Sequence, residues 1–253
     1  MGNKIYVDAL QKGLDVLTCF DRTHSRLTIS EVARRTGHSP ASARRSLFTL
    51  QTLGYLETDG KRFWIGHRSL LVASSYFSSR PLPSLAQPLL DGLSERTRES
   101  ATLAKLLDQQ VIVIARSTAR RSLSVGLTIG SRLPVYCSAL GRVLLASLPA
   151  HEARAMVGSV ELRRLAPRTP TTLNAVLSRV AACRADGYAT SDEELELGVR
   201  SMAVPVFNRN GQTVAGLSIA MRADRMGPKE FVDAFLPALR RAQARLAEKL
   251  FVE

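Results

Sequence analysis

A cluster of basic and hydroxyl side chains near the N-terminus has the residue types and spacing that contact nucleic acid. Arg44 and Arg45 are adjacent in a predicted helix. Guanidinium groups form paired hydrogen bonds with guanine edges and phosphates, so two exposed arginines can contact the major groove. Lys61 and Arg62 stand at a predicted hairpin turn, from which they can reach the DNA backbone. The candidate DNA contacts are Ser39, Ser42, Arg44, Arg45, Thr49, Lys61 and Arg62.

The elements around these residues predict a winged helix-turn-helix. The spacing of apolar residues indicates a first helix over about 7–21. Thr28–Glu31 has the form of a capping box, and Gly37 can end the helix that follows. Ser39-Pro40 begins a third helix, and Asp59-Gly60 is typical of the hairpin turn of a wing.

The spacing within the third helix assigns its two faces. Ala43, Leu47 and Leu50 recur at helical intervals and are expected to pack inward. The side chains expected to point largely outward are Ser42, Arg44, Arg45 and Thr49. An alternative is that Arg34, Arg35, Arg44 and Arg45 form only a solvated face. The ordered helix and turn signals favour DNA binding over that alternative.

The overall composition is consistent with a globular protein that has a polyanionic partner. The 253 residues include 35 Lys and Arg against 22 Asp and Glu, a formal net charge of +13. The hydrophobic share of 45% excludes a wholly disordered chain. No apolar run of membrane-spanning length and no signal-peptide core is present. Three cysteines, an odd number without metal-ligand spacing, favour free thiols in a reducing cytoplasm.

The second part of the chain lacks the residue patterns of catalysis. It contains no G-x-S-x-G, P-loop, G-x-G-x-x-G or C-x-x-C motif, and 81–253 has one histidine. Cys137 could serve as a nucleophile, but a small core thiol is the favoured interpretation. Asp192 and the following Glu193 and Glu194 could form a pocket lip or a metal site. For the two glutamates a solvated capping turn is favoured. We predict no enzyme activity, metal or cofactor.

Helices and strands alternate after a Pro- and Ser-rich break at 78–84, which predicts an α+β class with helices packed on a curved sheet. Three stretches then carry a family resemblance. They are Gly130–Ala146 (GSRLPVYCSALGRVLLA), Gly187–Val206 (GYATSDEELELGVRSMAVPV) and Val214–Ala220 (VAGLSIA). With them, the chain resembles the IclR family of bacterial transcription regulators over nearly its full length.

The resemblance implies a GAF-like effector-binding domain, dimers or tetramers, and a small organic-acid ligand. Within the family, Arg132–Cys137 together with Gly141–Ala146 is similar to the PcaR/PobR branch, which governs aromatic-acid breakdown. That branch responds to β-ketoadipate, protocatechuate or 4-hydroxybenzoate. The implied domains are a winged helix-turn-helix over 1–66, a linker helix over 67–83 and an effector-binding domain over 84–253.

The family's effector positions fall on Ala139, Leu140, Ser191, Ser201, Ser218 and Ala220. Relatives often have Asp at the position of Ser191 and Ser at the position of Ala220, so a larger, less polar ligand than a short keto acid is favoured. Strand alternation is expected to turn Ser218, Ala220 and Arg222 inward together. An arginine would pair with the ligand carboxylate. Its candidates are Arg222 and Arg132, with Arg142 and Arg200 also considered.

The resulting hypothesis is a cytoplasmic, non-membrane regulator that binds an operator in double-stranded DNA. Its expected partners are an organic-acid effector, further copies of the chain, and RNA polymerase as a further candidate. Two alternatives stay open. One is an enzymatic or ligand-binding α/β domain with a DNA anchor, and the other is an IclR-type regulator of a different carbon source.

Overall fold

The computed structural model describes residues 5–118 and 126–251, and it divides into two compact units between Ser79 and Arg80. The first unit contains a three-helix core, a two-stranded hairpin and a further helix. Its elements are α1 (Asp8–Thr18), α2 (Ile29–Thr36), α3 (Pro40–Thr52), β1 (Leu56–Thr58), β2 (Phe63–Ile65) and α4 (Ser69–Ser79). This order is the predicted winged helix-turn-helix.

Local sequence signals fix the helix ends in this unit. The Thr28 hydroxyl accepts a hydrogen bond from the Glu31 N–H, while the Glu31 carboxylate accepts one from the Thr28 N–H. Gly37 ends α2 in the left-handed conformation, with φ of 72°. The Ser39 hydroxyl caps α3, and Pro40 occupies its first turn. The capping box, the glycine stop and the Ser-Pro start are therefore confirmed.

The second unit is a six-stranded antiparallel sheet covered by helices on both faces. Its strand order is β5-β4-β3-β8-β7-β6. The strands are β3 (Ser100–Leu107), β4 (Gln110–Ser117), β5 (Arg132–Pro134), β6 (Ala189–Asp192), β7 (Val199–Phe207) and β8 (Thr213–Arg222). The helices are α5 (Pro81–Thr97), α6 (Ala139–Ala146), α7 (Ala150–Gly158), α8 (Leu173–Asp186) and α9 (Pro228–Phe251).

The two faces of this sheet carry different side chains. Leu217, Ile219 and Met221 of β8 pack with residues of α5 and α9 in one buried cluster. Ala104 and Ala203 pack with residues of α6 and α8 in a second cluster on the opposite face. Successive strand residues alternate between these faces, so the helices α6 and α8 define what we call the α6 face.

Some elements were not predicted from the sequence. The short strands β5 and β6 and the helix α7 were missed, although the α+β class is confirmed by the structure. The predicted linker range 67–83 contains α4 and the beginning of α5. Among the helices that the structure describes, none is long and apolar enough to cross a membrane.

Candidate functional site

The first turns of α3 present two arginines to solvent. Arg44 and Arg45 are exposed, and Thr49 is exposed one turn further along. The Arg44 guanidinium carbon lies 5.1 Å from the centre of the Phe48 ring, a cation–π contact that supports the long side chain. Exposed guanidinium groups near the start of a helix are available for base edges or phosphates.

Ser42 differs from expectation, because its side chain is buried rather than pointing outward, with a relative exposure of 8%. The inward arc of α3 is wider than the residues Ala43, Leu47 and Leu50 indicated. It also includes Ser42 and, partly buried one turn later, Ser46. A small side chain at this flank lets α3 approach the other helices closely.

The wing presents Lys61 and Arg62 from a rigid turn. The Asp59 carboxylate accepts hydrogen bonds from the Lys61 N–H at 3.0 Å and from the Arg62 N–H at 2.7 Å. The bonds from the N–H groups of Arg62 and Lys61 lower the pKa of Asp59. Both basic side chains remain exposed. The turn therefore orders the backbone and leaves the two positive charges free to reach a phosphate.

A second basic feature of this unit was not anticipated. The Arg26 guanidinium carbon lies 4.1 Å from the centre of the Trp64 ring on β2. Trp64 also donates a hydrogen bond to Glu57 across the hairpin. Arg35, in contrast, pairs with Asp21 at 2.7 Å and is engaged within the unit. No sequence signal joined Arg26 to Trp64, because they contact each other only in the folded unit.

The α6 face of the second unit brings the predicted effector residues together. Ser218 on β8 lies opposite Thr102 on β3 and Ala203 on β7. One step along, Ala220 lies opposite Ser201, and Ser201 lies opposite Ser191 on β6. Ser191 and Ser218 are buried, whereas Ser201 and Ala220 are partly exposed. Hydroxyl and methyl side chains thus form adjacent rows across the sheet.

The start of α6 covers these rows closely. The Ser138 hydroxyl accepts a hydrogen bond from the Gly141 N–H at 3.0 Å and caps the helix. Leu140 packs so tightly on β8 that a Cβ at Gly216 would lie 2.9 Å from its Cδ2 atom. Ala139 and Leu140 are both buried. The structure therefore places both predicted α6 residues against the sheet.

Ser191 is engaged by the protein itself. Its hydroxyl donates to the Cys137 carbonyl at 2.9 Å, which joins β6 to the segment that precedes α6. Burial raises the pKa of the Cys137 thiol to about 12. This thiol is therefore neutral at physiological pH, which agrees with the interpretation as a core thiol rather than a nucleophile.

None of the four arginines considered for the ligand carboxylate is both buried and without an ion pair. Arg142 is buried and pairs with Glu194, and Arg200 is buried and pairs with Asp192 at 2.7 Å. Arg132 is exposed on the edge strand β5, whose one buried residue is Leu133.

The expectation that Arg222 turns inward with Ser218 and Ala220 is wrong. Its side chain is 53% exposed and pairs with Asp224. Arg222 is the last residue of β8, so its side chain extends past the sheet into the turn that follows.

The acidic cluster also differs from expectation. Glu194 is buried and accepts a hydrogen bond from Arg142, so the solvated-turn interpretation is wrong for this glutamate. Glu193 accepts a hydrogen bond from the Gly198 N–H at 3.0 Å, and Asp192 pairs with Arg200. The carboxylates are thus committed to the turn between β6 and β7.

Comparison with known protein families assigns both units. Residues 9–60 match the IclR helix-turn-helix domain. Residues 74–247 match the family described as bacterial transcriptional regulator IclR C-terminal. The chain belongs to the IclR family. It is a DNA-binding transcriptional regulator, as the winged helix-turn-helix and the resemblance predicted.

Individual IclR relatives match almost the whole chain. The Pca regulon regulatory protein of Pseudomonas putida is 36% identical over 251 residues, covering 99% of this chain and 86% of that protein. The p-hydroxybenzoate hydroxylase transcriptional activator of Acinetobacter baylyi is 39% identical over 240 residues, covering 93% and 89%. Both are regulators, which confirms the prediction of a regulator over an enzyme.

A solved IclR structure supports the fold. The IclR homolog from Microbacterium hydrocarbonoxydans, crystallised in complex with 4-hydroxybenzoate, is 26% identical with a TM-score of 0.79. The match covers 96% of this chain and 99% of that one.

Proposed function

We propose that this IclR regulator controls a gene cluster for aromatic-acid breakdown and that an aromatic or dicarboxylic acid modulates its action on DNA. The observation that carries the effector assignment is the α6 face, where Ser201 and Ser218 adjoin Ala203 and Ala220. Hydroxyl groups beside small residues leave room for a ring and bind its polar substituents. The relatives named for the Pca regulon and for p-hydroxybenzoate hydroxylase support the same class of acid.

The proposed DNA interface combines α3 and the wing. Arg44, Arg45 and Thr49 contact base edges, and Ser39 at the helix start contacts a phosphate. Lys61 and Arg62 contact the backbone from the hairpin turn. All six residues are exposed, and the division between a recognition helix and a wing is the usual one for this motif. The operator-bound protein acts in the cytoplasm, with RNA polymerase as a further partner.

The proposed effector site lies between the start of α6 and strands β6, β7 and β8. Ala139 and Leu140 supply an apolar wall. Ser201 and Ser218 bind polar groups, and Ala220 makes room for the ring. Ser191 shapes the site through its bond to Cys137. Residues 1–66, 67–83 and 84–253 are then the DNA-binding, linker and effector-binding parts.

A dimer is the proposed functional unit, with a tetramer as a larger assembly. One winged helix contacts too few base pairs for useful specificity, whereas a two-fold dimer contacts two half-sites. The first unit has exposed apolar side chains on two helices that a second copy can cover. They are Leu10 and Leu14 on α1 and Leu70, Leu71 and Tyr76 on α4.

The test combines calorimetry with DNA binding. Operator DNA is first selected from a random library with the purified protein. We expect 4-hydroxybenzoate, protocatechuate or β-ketoadipate to give binding heat and to change operator affinity. An operator-binding protein that gives no heat with any of the three acids would contradict the effector class and leave the regulator assignment intact.

A further inference from the structure

Arg116 on β4 carries a buried donor that no described residue uses. Its Nη1 atom donates to the Thr102 hydroxyl at 2.8 Å, and its Nε atom donates to the Thr118 hydroxyl at 3.3 Å. Its Nη2 atom is buried and has no hydrogen-bond partner within residues 5–118 and 126–251. A buried, unsatisfied donor on a partly buried cation is costly, so it marks a place where a ligand acceptor would be stabilising.

Among the described residues, no carboxylate pairs with Arg116. Buried Arg142 and Arg200 each pair with a carboxylate of the β6–β7 region. Arg116 has no such ion pair with any described residue, and its two hydrogen-bond partners are neutral hydroxyls. Burial lowers the pKa of this guanidinium. The guanidinium of Arg116 therefore carries a positive charge that no described carboxylate pairs with.

A β-bulge directs Arg116 toward the α6 face. Val111 of β4 packs in the α6-side cluster, so simple alternation would turn Ala115 to that face and Arg116 away from it. The pairing register shifts between Leu103 and Ala104, and Ala115 packs instead in the opposite cluster. Such an inserted residue re-aims the side chains that follow it, and bulges are frequent beside functional sites.

This orientation places Arg116 in one row with the proposed effector residues. Arg116 lies opposite Thr102, Thr102 lies opposite Ser218, and Ser218 lies opposite Ala203. The free Nη2 donor therefore belongs to the same hydroxyl-lined surface as Ser218. The row extends from β4 to β7, whose neighbouring Ser201 is partly exposed.

We propose that Arg116 binds the carboxylate of the effector, and that Thr102 positions its guanidinium plane. This inference rests on the proposed effector site and adds the anion-binding end that its serines lack. The carboxylate accepts a charge-assisted hydrogen bond from Nη2, while the bond from Nη1 to Thr102 fixes the orientation of the planar guanidinium along the row. The ring then lies over Ala220 and Ser218, with its distal substituent toward Ser201.

The experiment compares Arg116→Gln with Arg132→Gln and Arg222→Gln, two exposed arginines that lose the same charge. Calorimetry measures the affinity for 4-hydroxybenzoate and for the neutral 4-hydroxybenzamide. We expect Arg116→Gln to weaken 4-hydroxybenzoate binding by about 10- to 150-fold, the range for losing a hydrogen bond to a charged group. Binding of the neutral amide and the affinity of both control variants for the acid should change less than about threefold.

Two further measurements keep the test decisive. Urea denaturation followed by circular dichroism reports whether the second unit of Arg116→Gln is folded, and Thr102→Val tests positioning by removing one hydroxyl at nearly constant shape. We expect Thr102→Val to lower acid affinity by several-fold while the amide affinity stays constant. If the wild-type protein binds 4-hydroxybenzoate and Arg116→Gln binds it with equal affinity, the role of Arg116 is overturned and the effector class stands. A wild-type protein that binds none of the aromatic or dicarboxylic acids would overturn both.

Discussion

Arg142 and Glu194 form a buried ion pair that joins α6 to the turn between β6 and β7. Arg142 also donates to the Thr190 carbonyl on β6. Both residues are almost inaccessible to solvent, with side-chain exposures of 3% and 8%. The pair therefore fixes the distance between the two walls of the proposed effector site, and its function is structural.

Breaking this pair should destabilise the second unit strongly. Glu194→Gln leaves the Arg142 charge buried with a neutral partner, and the expected loss is about 3–5 kcal/mol in the free energy of unfolding. Urea denaturation followed by circular dichroism measures it. Glu196→Gln, at an exposed position of the same turn, is the matched control and should change stability by less than about 0.5 kcal/mol. Equal midpoints for the two variants would contradict the buried pair.

A methyl group at Gly141 should be more damaging than at any ordinary helical glycine. A Cβ there would lie 2.2 Å from the Val135 carbonyl oxygen, which is backbone and cannot rotate away. Gly92 on α5 is the control, because its Cβ would meet only the Arg96 Nη1 atom at an ordinary 3.7 Å. We expect Gly141→Ala to lower the melting temperature and Gly92→Ala to leave it unchanged or raise it. Similar melting curves would argue against the close approach of α6 to Val135.

The parts of this fold that the sequence predicts are those specified by neighbouring residues. The cap formed by Thr28 and Glu31 and the stop at Gly37 depend on contacts within a few positions, and the structure confirms both. Proline cannot donate a ladder hydrogen bond, so Pro205 alone predicts an edge strand or a bulge. Its strand β7 is not an edge, because it lies between β8 and β6. Pro205 lies two residues beyond the end of the β6–β7 pairing at Ala203, and the β7–β8 register shifts just after it, between Val206 and Phe207.

The parts that escaped prediction depend on distant pairing. Glu194 is buried only because Arg142, 52 positions earlier, lies beside it. Arg116 reaches the α6 face only because β4 is bulged against β3. Neither the burial of a carboxylate nor the position of a bulge has a signature in one strand read alone. The family resemblance pointed to Ser218, Ala139 and Leu140, which the structure brings to the α6 face, but it did not point to Arg116.

Substitutions in α3 and in the wing should affect DNA binding in different ways. Arg44→Ala and Arg45→Ala should each cost about 1–3 kcal/mol in operator binding and relax specificity at one base position. Lys61→Ala should weaken all sequences alike and reduce the slope of log affinity against log salt by about 0.9. Fluorescence anisotropy over a salt series separates the two effects.

Ser42→Ala is the control for these DNA variants, because Ser42 is buried and cannot reach a base. Its operator affinity should match that of the wild type. If the Arg44, Arg45 and Lys61 variants all bound like Ser42→Ala, the recognition helix and wing would be assigned wrongly.

Buried thiols should react more slowly than exposed ones, and their reactivity should increase at high pH. Burial raises the pKa of Cys137 from 9.0 to about 12 and that of Cys183 from 9.0 to about 11. At pH 8 iodoacetamide should modify neither residue in the folded protein, while partly exposed Cys19 reacts slowly, since burial raises its pKa as well. Mass spectrometry of peptides locates the modified thiols, and all three should react in urea.

The raised pKa values of Cys137 and Cys183 also predict how the stability of the protein changes with pH. A thiol whose folded pKa lies above its unfolded value favours the folded state below about pH 9 and loses that contribution as pH rises toward 12. The urea concentration at the midpoint of unfolding should therefore decrease as the pH is raised from 9 to 11. Cys137→Ala and Cys183→Ala together should flatten that decline. A midpoint that stayed constant over this range would contradict the assignment of both thiols to the core.

Enlarging Ser218 should separate effector binding from DNA binding. Ser218 is buried between Thr102 and Ala203 on the α6 face, so a leucine there fills the space proposed for the ligand ring. We expect Ser218→Leu to abolish calorimetric heat with 4-hydroxybenzoate, while operator affinity without ligand stays at the wild-type level because α3 and the wing belong to the other unit. Ser218→Ala is the control, because it removes one hydroxyl without adding volume. It should weaken binding of the acid only by the value of one neutral hydrogen bond, about 0.5–1.5 kcal/mol. A Ser218→Leu protein that is folded, binds its operator and still binds the acid at wild-type affinity would place the effector elsewhere in the chain.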